Sequence, residues 1–330
     1  MKHLFLVLIL FISILGCDEQ QQRYNNPCYE ITCSNHGKCS VIEKSKAICI
    51  CDTEFNAKGL ECVENKYKKI YGVTLDSVND INEILDSIKS LPEKVITRIV
   101  FDEVPATEYL VAVKRLYKDT YIMGQLFDSE YINNYSLDAY SDRIDEYLNT
   151  FGDKIKIWEI GNEVNGEWTG NPDIVAQKVM IAYQKVKNKG YKTVLTLYYN
   201  DFEQNDGCWA NKNEKMREWA RIRLNQNIKE GIDYVFISYY EEDCNNHKPT
   251  INELEKVFSD LENIFPNAKL GFGEVGTSNS NEKERYLEKY YTLNISNHHY
   301  VGGYFWWYFK DDMVPKSKKL WSVLNQIMKN

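Results

Sequence analysis

The sequence predicts an α/β protein of the (β/α)8 barrel class, preceded by a small disulfide-rich module. Three observations lead there. From about residue 65 onward, eight β-rich apolar runs alternate with polar segments of helical periodicity. Two of those runs carry a glutamate at or next to their C-terminal end, Glu163 and Glu274. Six of the nine cysteines crowd into Cys28–Cys62.

The eight runs are Lys69–Leu75, Val95–Asp102, Thr120–Phe127, Ile155–Glu163, Thr193–Tyr199, Tyr234–Tyr240, Leu270–Val275 and Gly303–Phe309. Between them, Ile81, Leu85 and Ile88 form one helical stripe, and Ile144, Tyr147 and Leu148 another. Ile174–Lys189, Glu214–Asn227, Ile251–Phe265, Lys283–Asn294 and Leu320–Met328 also read as helices. Strand-then-helix repetition means parallel strands joined by crossovers, and eight repeats match a closed barrel. A doubly wound sheet is the competing architecture, but no glycine-rich loop follows the first run, Tyr71-Gly72-Val73-Thr74-Leu75-Asp76.

With 330 residues, 43% hydrophobic and 27% charged, the chain has ample material for a large core. A formal net charge of -8 argues against a nucleic-acid surface. The 24 Tyr and 7 Trp supply rings that can stack on sugars, although most such rings serve in cores.

Residues 1–16 read as a secretory signal: Lys2 and His3 precede an apolar run from Leu4 to Leu15. That run is short for a transmembrane helix. Ile14-Leu15-Gly16-Cys17 resembles a bacterial lipobox, which implies lipidation at Cys17 and a membrane-tethered, cell-surface or periplasmic protein. A signal peptide without lipid is the alternative. Residues 17–26 are polar and read as a tether. Setting Cys17 aside leaves eight cysteines, an even number.

Residues 27–64 carry the spacing C-x4-C-x5-C-x9-C-x-C-x10-C, which resembles an EGF-like module. Spacing alone permits 15 connectivities. The resemblance implies Cys28–Cys39, Cys33–Cys49 and Cys51–Cys62, and a role as spacer or protein-contact module. Zinc is the competing reading, with His36 as the only imidazole of the stretch. Calcium is not expected, because Arg23-Tyr24-Asn25-Asn26-Pro27 offers no carboxylate before the first cysteine. Asn134-Tyr135-Ser136 and Asn294-Ile295-Ser296 match glycosylation acceptors. Cys208 and Cys244 follow the fifth and sixth runs and are expected to pair.

In such barrels the site lies at the C-terminal ends of the strands. Glu163 ends the fourth run in Trp158-Glu159-Ile160-Gly161-Asn162-Glu163, and Glu274 lies in the seventh in Gly271-Phe272-Gly273-Glu274-Val275-Gly276. These motifs resemble the clan A glycoside hydrolases, retaining glycosidases on a TIM barrel, and the resemblance covers residues 65–330. It implies Glu274 as nucleophile and Glu163 as acid/base, acting on a β-linked oligo- or polysaccharide without a cofactor. It further implies that Asn162 contacts a sugar hydroxyl, that Arg98 orients Glu274, that Tyr240 bonds the nucleophile and that Trp307 floors the sugar site. Read from the residues alone, Arg98 also fits a barrel-interior salt bridge to Glu159. Ser238 stands where the clan has histidine.

Trp306 is expected to face the helix layer. Asp76, Asp102, Glu103 and Asp128 are candidates for sugar hydroxyls or plain helix caps, and Trp168 and Trp209 for cleft walls. A glycan-binding or adhesion protein on the same scaffold is the alternative function. A metal-dependent hydrolase is weaker, because none of the five His falls at a strand end, and His298-His299 is only a weak metal candidate.

Overall fold

A computed structural model describes residues 26–42, 46–51, 55–64, 69–202, 208 and 215–329. The signal stretch, Cys17 and Trp209 lie outside the described residues, as does the side chain of Cys51. The chain divides into two compact units, Met1–Lys68 and Lys69–Asn330.

The first unit contains two antiparallel hairpins. Gly37–Ile42 pairs with Lys46–Cys51, and Phe55–Lys58 with Glu61–Glu64. Its buried centre is Cys33, Cys49 and Cys62, with Ile31 and Cys39 against them. So little apolar surface cannot hold a fold alone, and cross-links take over. Cys28–Cys39 and Cys33–Cys49 are disulfides. Cys62 is also disulfide-bonded. The sulfurs of Cys33, Cys49 and Cys62 lie within 4.8 Å of one another, but oxidised sulfur offers no thiolate, so the zinc reading fails here.

The second unit is a closed parallel barrel of eight strands in sequential order. They are β1 (Ile70–Leu75), β2 (Ile96–Val100), β3 (Tyr121–Gln125), β4 (Ile157–Gly161), β5 (Lys192–Tyr198), β6 (Tyr234–Tyr239), β7 (Lys269–Val275) and β8 (Tyr300–Trp306). Helices cover the barrel: α1 (Ile81–Lys89), α2 (Leu110–Leu116), α3 (Leu137–Phe151), α4 (Pro172–Asn188), α5 (Met216–Arg223), α6 (Gln226–Gly231), α7 (Ile251–Ile264), α8 (Lys283–Tyr291), α9 (Phe309–Met313) and α10 (Lys319–Ile327).

Local chemistry sets the helix ends. Ser136 caps α3 by accepting from the Ala139 amide, and Asn171 caps α4 with proline at the first helical position. Thr250 and Glu253 form a reciprocal capping box at α7. Along each strand, alternate residues face the helices. Val73, Ile99, Ile122, Trp158, Leu195, Val235 and Phe272 join the layer between sheet and helices. Their neighbours Thr74, Arg98, Met123, Glu159, Thr196 and Phe236 are buried outside that layer, in the barrel interior.

Two elements differ from the sequence expectation. The eighth strand begins three residues earlier, at Tyr300, and Phe309 already belongs to α9. Gly302 and Gly303 take φ of 86° and 89°, followed by Tyr304 at 74° and Phe305 at 38°, so the strand is irregular where it pairs with β1. An aromatic run with a broken alternation gives no period from which to read its start. The expected helix Glu214–Asn227 is two helices, because Leu224 is extended and Asn225 caps α6 through the Ile228 amide. Cys208 and Cys244 form a disulfide. The glycosylation-type Asn134 and Asn294 are both exposed.

A methyl group added at Gly303 would meet the Phe272 carbonyl oxygen at 2.3 Å, in a backbone conformation that L side chains avoid. Gly190, just past α4, shares the positive φ but has open space around it. Gly303→Ala is therefore expected to cost about 2–4 kcal/mol in urea unfolding, and Gly190→Ala about 1 kcal/mol. Equal losses would refute the close approach between β7 and β8.

Candidate active site

The residues that line the C-terminal rim come from six strand ends, β3 to β8, and backbone irregularity aims several of them. Consecutive strand residues point to opposite faces, yet Asn162 and Glu163 line the same cavity. Two features bring this about. The pairing of β4 with β5 slips between Glu159 and Gly161, and Glu163 then takes a left-handed φ of 46°. Such a bulge re-aims side chains at barrel rims, and a non-glycine residue at positive φ is strained backbone. A second slip between Ile237 and Ser238 sets Ser238 beside Glu274 in the register of β6 and β7.

Arg98 occupies the centre. It is fully buried, as is Glu159. Its Nε and Nη2 donate to the two Glu159 oxygens at 2.8 and 3.2 Å, and its Nη1 donates to Glu274 Oε2 at 2.6 Å. Both readings of Arg98 are thus present in one side chain: an interior salt bridge to Glu159 and a contact on Glu274. Burial works against the guanidinium charge, but Glu159 and Glu274 outweigh it and hold Arg98 above its ordinary value. Thr196 also donates to Glu159. The Trp307 ring centroid lies 5.8 Å from the guanidinium carbon.

Glu274 accepts two further hydrogen bonds, from Tyr240 Oη at 2.8 Å and from Asn162 Nδ2 at 3.4 Å. Its carboxyl stands above its ordinary value through burial, with Arg98 opposing. Glu163 is placed differently. It accepts from Ser238 Oγ at 2.5 Å and Ser129 Oγ at 3.0 Å, and among the described residues no cation pairs with it. Burial first, and then the charge of Glu274, push its pKa up to about 8. The proton of the pair therefore belongs on Glu163, and Glu274 carries the charge that Arg98 neutralises.

A cavity of about 650 Å³ opens above these groups. Its lining includes Asp128, Ser129, Glu163, Trp168, Tyr240, Glu274 and Trp307. Trp168 donates to Ser129 Oγ at 3.0 Å and meets Tyr198 edge to face, so this wall also holds a ligand of Glu163 in place. Of the acidic candidates, only Asp128 reaches the cavity, and it also turns the loop by accepting from the Glu130 amide. Asp102 accepts from Tyr109 Oη instead, while Asp76 and Glu103 are exposed away from the lining. Trp306 is buried in the helix layer, with its indole donating to Asp312.

Ser129, Tyr198 and Asp243 were not legible as site residues. Nothing in their local sequence distinguishes a hydroxyl or carboxyl aimed into the cavity from one on a loop. Ser238, read only as a departure from a histidine pattern, is a direct partner of Glu163.

No protein-family model matches the sequence, and none of the curated proteins does. Solved structures do match. Saccharomyces cerevisiae Gas2p, as a variant in complex with laminaritetraose and laminaripentaose, aligns at a TM-score of 0.55 and 12% identity, over 90% of this chain and 68% of that one. A complex of Gas2 with a compound aligns at 0.55 and 14%, over 80% of this chain and 64% of that one. A family 1 β-glucosidase from Thermotoga maritima aligns at 0.45 and 13%, over 69% of this chain and 76% of that one. The chain shares the barrel fold of Gas2p.

Removing Arg98 would leave Glu159 and Glu274 buried without a counter-ion. Arg98→Ala is expected to lower stability by about 3–5 kcal/mol in denaturant titration. A loss below 1 kcal/mol would show that the cluster is not dry. Glu163 gives a separate, pH-dependent signature. Its pKa lies at about 8 in the folded chain against an ordinary 4.5. The folded chain thus holds this proton more tightly, and the resulting stability is complete below about pH 4.5 and declines as pH rises to about 8. Relative to Glu163→Gln, the wild type should lose about 3–5 kcal/mol across that window. Parallel stability curves for the two proteins would contradict the raised pKa.

Proposed function

We propose that this protein is a retaining glycoside hydrolase acting on a β-linked glucan. The observation that carries this reading is the unequal pair of glutamates at one cavity. Glu274 is bound to a guanidinium, and Glu163 is bound only to hydroxyls, so one is a ready anion and the other a ready acid. A retaining mechanism needs that division of labour, with the two carboxyls about 5–5.5 Å apart.

In the first step a Glu274 oxygen attacks the anomeric carbon. The bond to the leaving oxygen breaks as Glu163 delivers its proton there. A glycosyl ester on Glu274 results. In the second step Glu163, now a carboxylate, takes a proton from water as that water attacks the same carbon, and Glu274 departs as an anion. Tyr240 and Arg98 hold the attacking carboxylate by its two oxygens. Asn162 bridges the pair's surroundings, accepting from the Ser129 amide while donating to Glu274, and is placed to meet a sugar hydroxyl. Trp307 and Trp168 offer apolar faces to the pyranose ring.

The glucan is suggested by the laminari-oligosaccharides bound in the Gas2p structures, whose fold this chain shares. Export is part of the same reading. Disulfides persist in oxidising compartments, and both units carry them. In that setting residues 1–16 act as a signal, Cys17 carries lipid, and the cysteine-rich unit, read as EGF-like, acts as a spacer between membrane and barrel.

Incubation of the protein with laminaripentaose, followed by proton NMR of the first product formed, is the direct test. Retention gives the β-anomer first. Glu163→Gln and Glu274→Gln should each reduce kcat/KM by about 10²–10⁴-fold or more, and the wild-type kcat/KM should fall above about pH 8 as Glu163 loses its proton. Laminaripentaose binding without cleavage would move the chain to a glycan-binding role. Cleavage that survives Glu274→Gln would remove Glu274 as nucleophile.

A further inference from the structure

At the opposite end of the barrel, three side chains meet that the reaction does not use. Glu262 lies in the last turn of α7, and His298 and His299 end the loop that enters β8. Neighbouring residues in an extended chain point apart, but here the two imidazoles come together, with ring centroids 4.5 Å apart and planes at 73°. A local turn produces this: Asn297 Oδ1 accepts from the His299 amide, and the Asn297 carbonyl accepts from the Tyr300 amide. Both Nε2 atoms face one carboxylate oxygen. His298 Nε2 lies 3.4 Å and His299 Nε2 3.6 Å from Glu262 Oε1, and the three atoms all fall within 4.8 Å of one another.

We propose that Glu262, His298 and His299 form a binding site for a divalent transition-metal ion of the zinc type. Three observations support it. The spacing is right: ligands about 2.0–2.1 Å from a tetrahedral zinc stand about 3.3–3.4 Å from each other, and the two imidazole-to-carboxylate distances are close to that edge. These separations are long for hydrogen bonds between the same groups. The tautomer is right: His299 Nδ1 lies 2.8 Å from the Ala268 carbonyl, which can only accept. Nδ1 therefore carries the hydrogen, and in the neutral ring Nε2 presents its lone pair to the site. The carboxylate is held: Asn297 Nδ2 donates to the other Glu262 oxygen at 2.8 Å, which leaves Oε1 turned toward the imidazoles.

The burial is graded, with His299 at 5% side-chain exposure, Glu262 at 29% and His298 at 63%. An ion can therefore enter from the His298 side, and water completes its fourth position. Two imidazoles and one carboxylate favour zinc or its neighbours over magnesium and calcium, which prefer all-oxygen sites. The place in the fold gives the role. His299 directly precedes β8, and the Ala268 carbonyl directly precedes β7. The ion would tie α7 to the entry of β8 at the barrel's N-terminal face, where binding serves stability rather than chemistry.

The test is calorimetric titration of the chelator-treated full chain with zinc chloride, and with magnesium chloride for comparison. Binding of one zinc ion per chain is expected, with His298→Ala weakening it at least tenfold and His247→Ala leaving it unchanged. His247 sits beside Glu253 in the one other described His–carboxylate pair of the barrel, so it controls for adventitious zinc. His298 is exposed, so its removal leaves the fold intact. Zinc should also raise the wild-type Tm and leave that of His298→Ala unmoved. Zinc affinity equal in wild type and His298→Ala, or a magnesium response equal to that of zinc, would overturn the site and leave a histidine–carboxylate ion pair only.

Discussion

One guanidinium shared between two buried carboxylates is the interaction on which the barrel's upper half depends. Arg98 spans β2, β4 and β7, gripping Glu159 with two nitrogens and Glu274 with a third. A charge so deep is costly unless its partners are close and its donors are used. Meeting that demand locks three strands in register and fixes the position of Glu274 at the same time. The cohesion of the barrel and the placement of Glu274 therefore rest on the same side chain.

The same contact makes the two rim glutamates unlike. Both are drawn upward in pKa by loss of solvent, but only Glu274 has a cation against it. Glu163 meets the hydroxyls of Ser129 and Ser238, which bond to either protonation state and so let it exchange its proton. Trp168 adds a further link, since its indole holds Ser129 while its ring walls the cavity. The rim departs from regular strand geometry at β4, β6 and β8. Such departures aim side chains that a regular pleat would turn away.

The two units solve different stability problems. The barrel buries a continuous apolar layer between strands and helices, and it can afford an ionic interior. The small unit has three cysteines as its buried centre and holds itself by covalent bridges.

Much of this was legible in the chain. Seven of the eight strands fell where their apolar runs were, because a strand buried on both faces is read as continuous hydrophobicity. The eighth was displaced by Gly302 and Gly303 and the two positive-φ aromatics after them. The helix expected at Glu214–Asn227 divided at Asn225, whose side chain caps a new start. The sequence by itself determined the order of strands and helices, the presence of a cysteine-rich module and the acids at two strand ends, because period and composition are local properties. Only the tertiary structure decided that one guanidinium serves Glu159 and Glu274 together, which hydroxyls meet Glu163, and that His298 and His299 turn onto Glu262. Those outcomes depend on contacts across 61 and 176 residues for Arg98 alone, and local pattern carries no record of such distances.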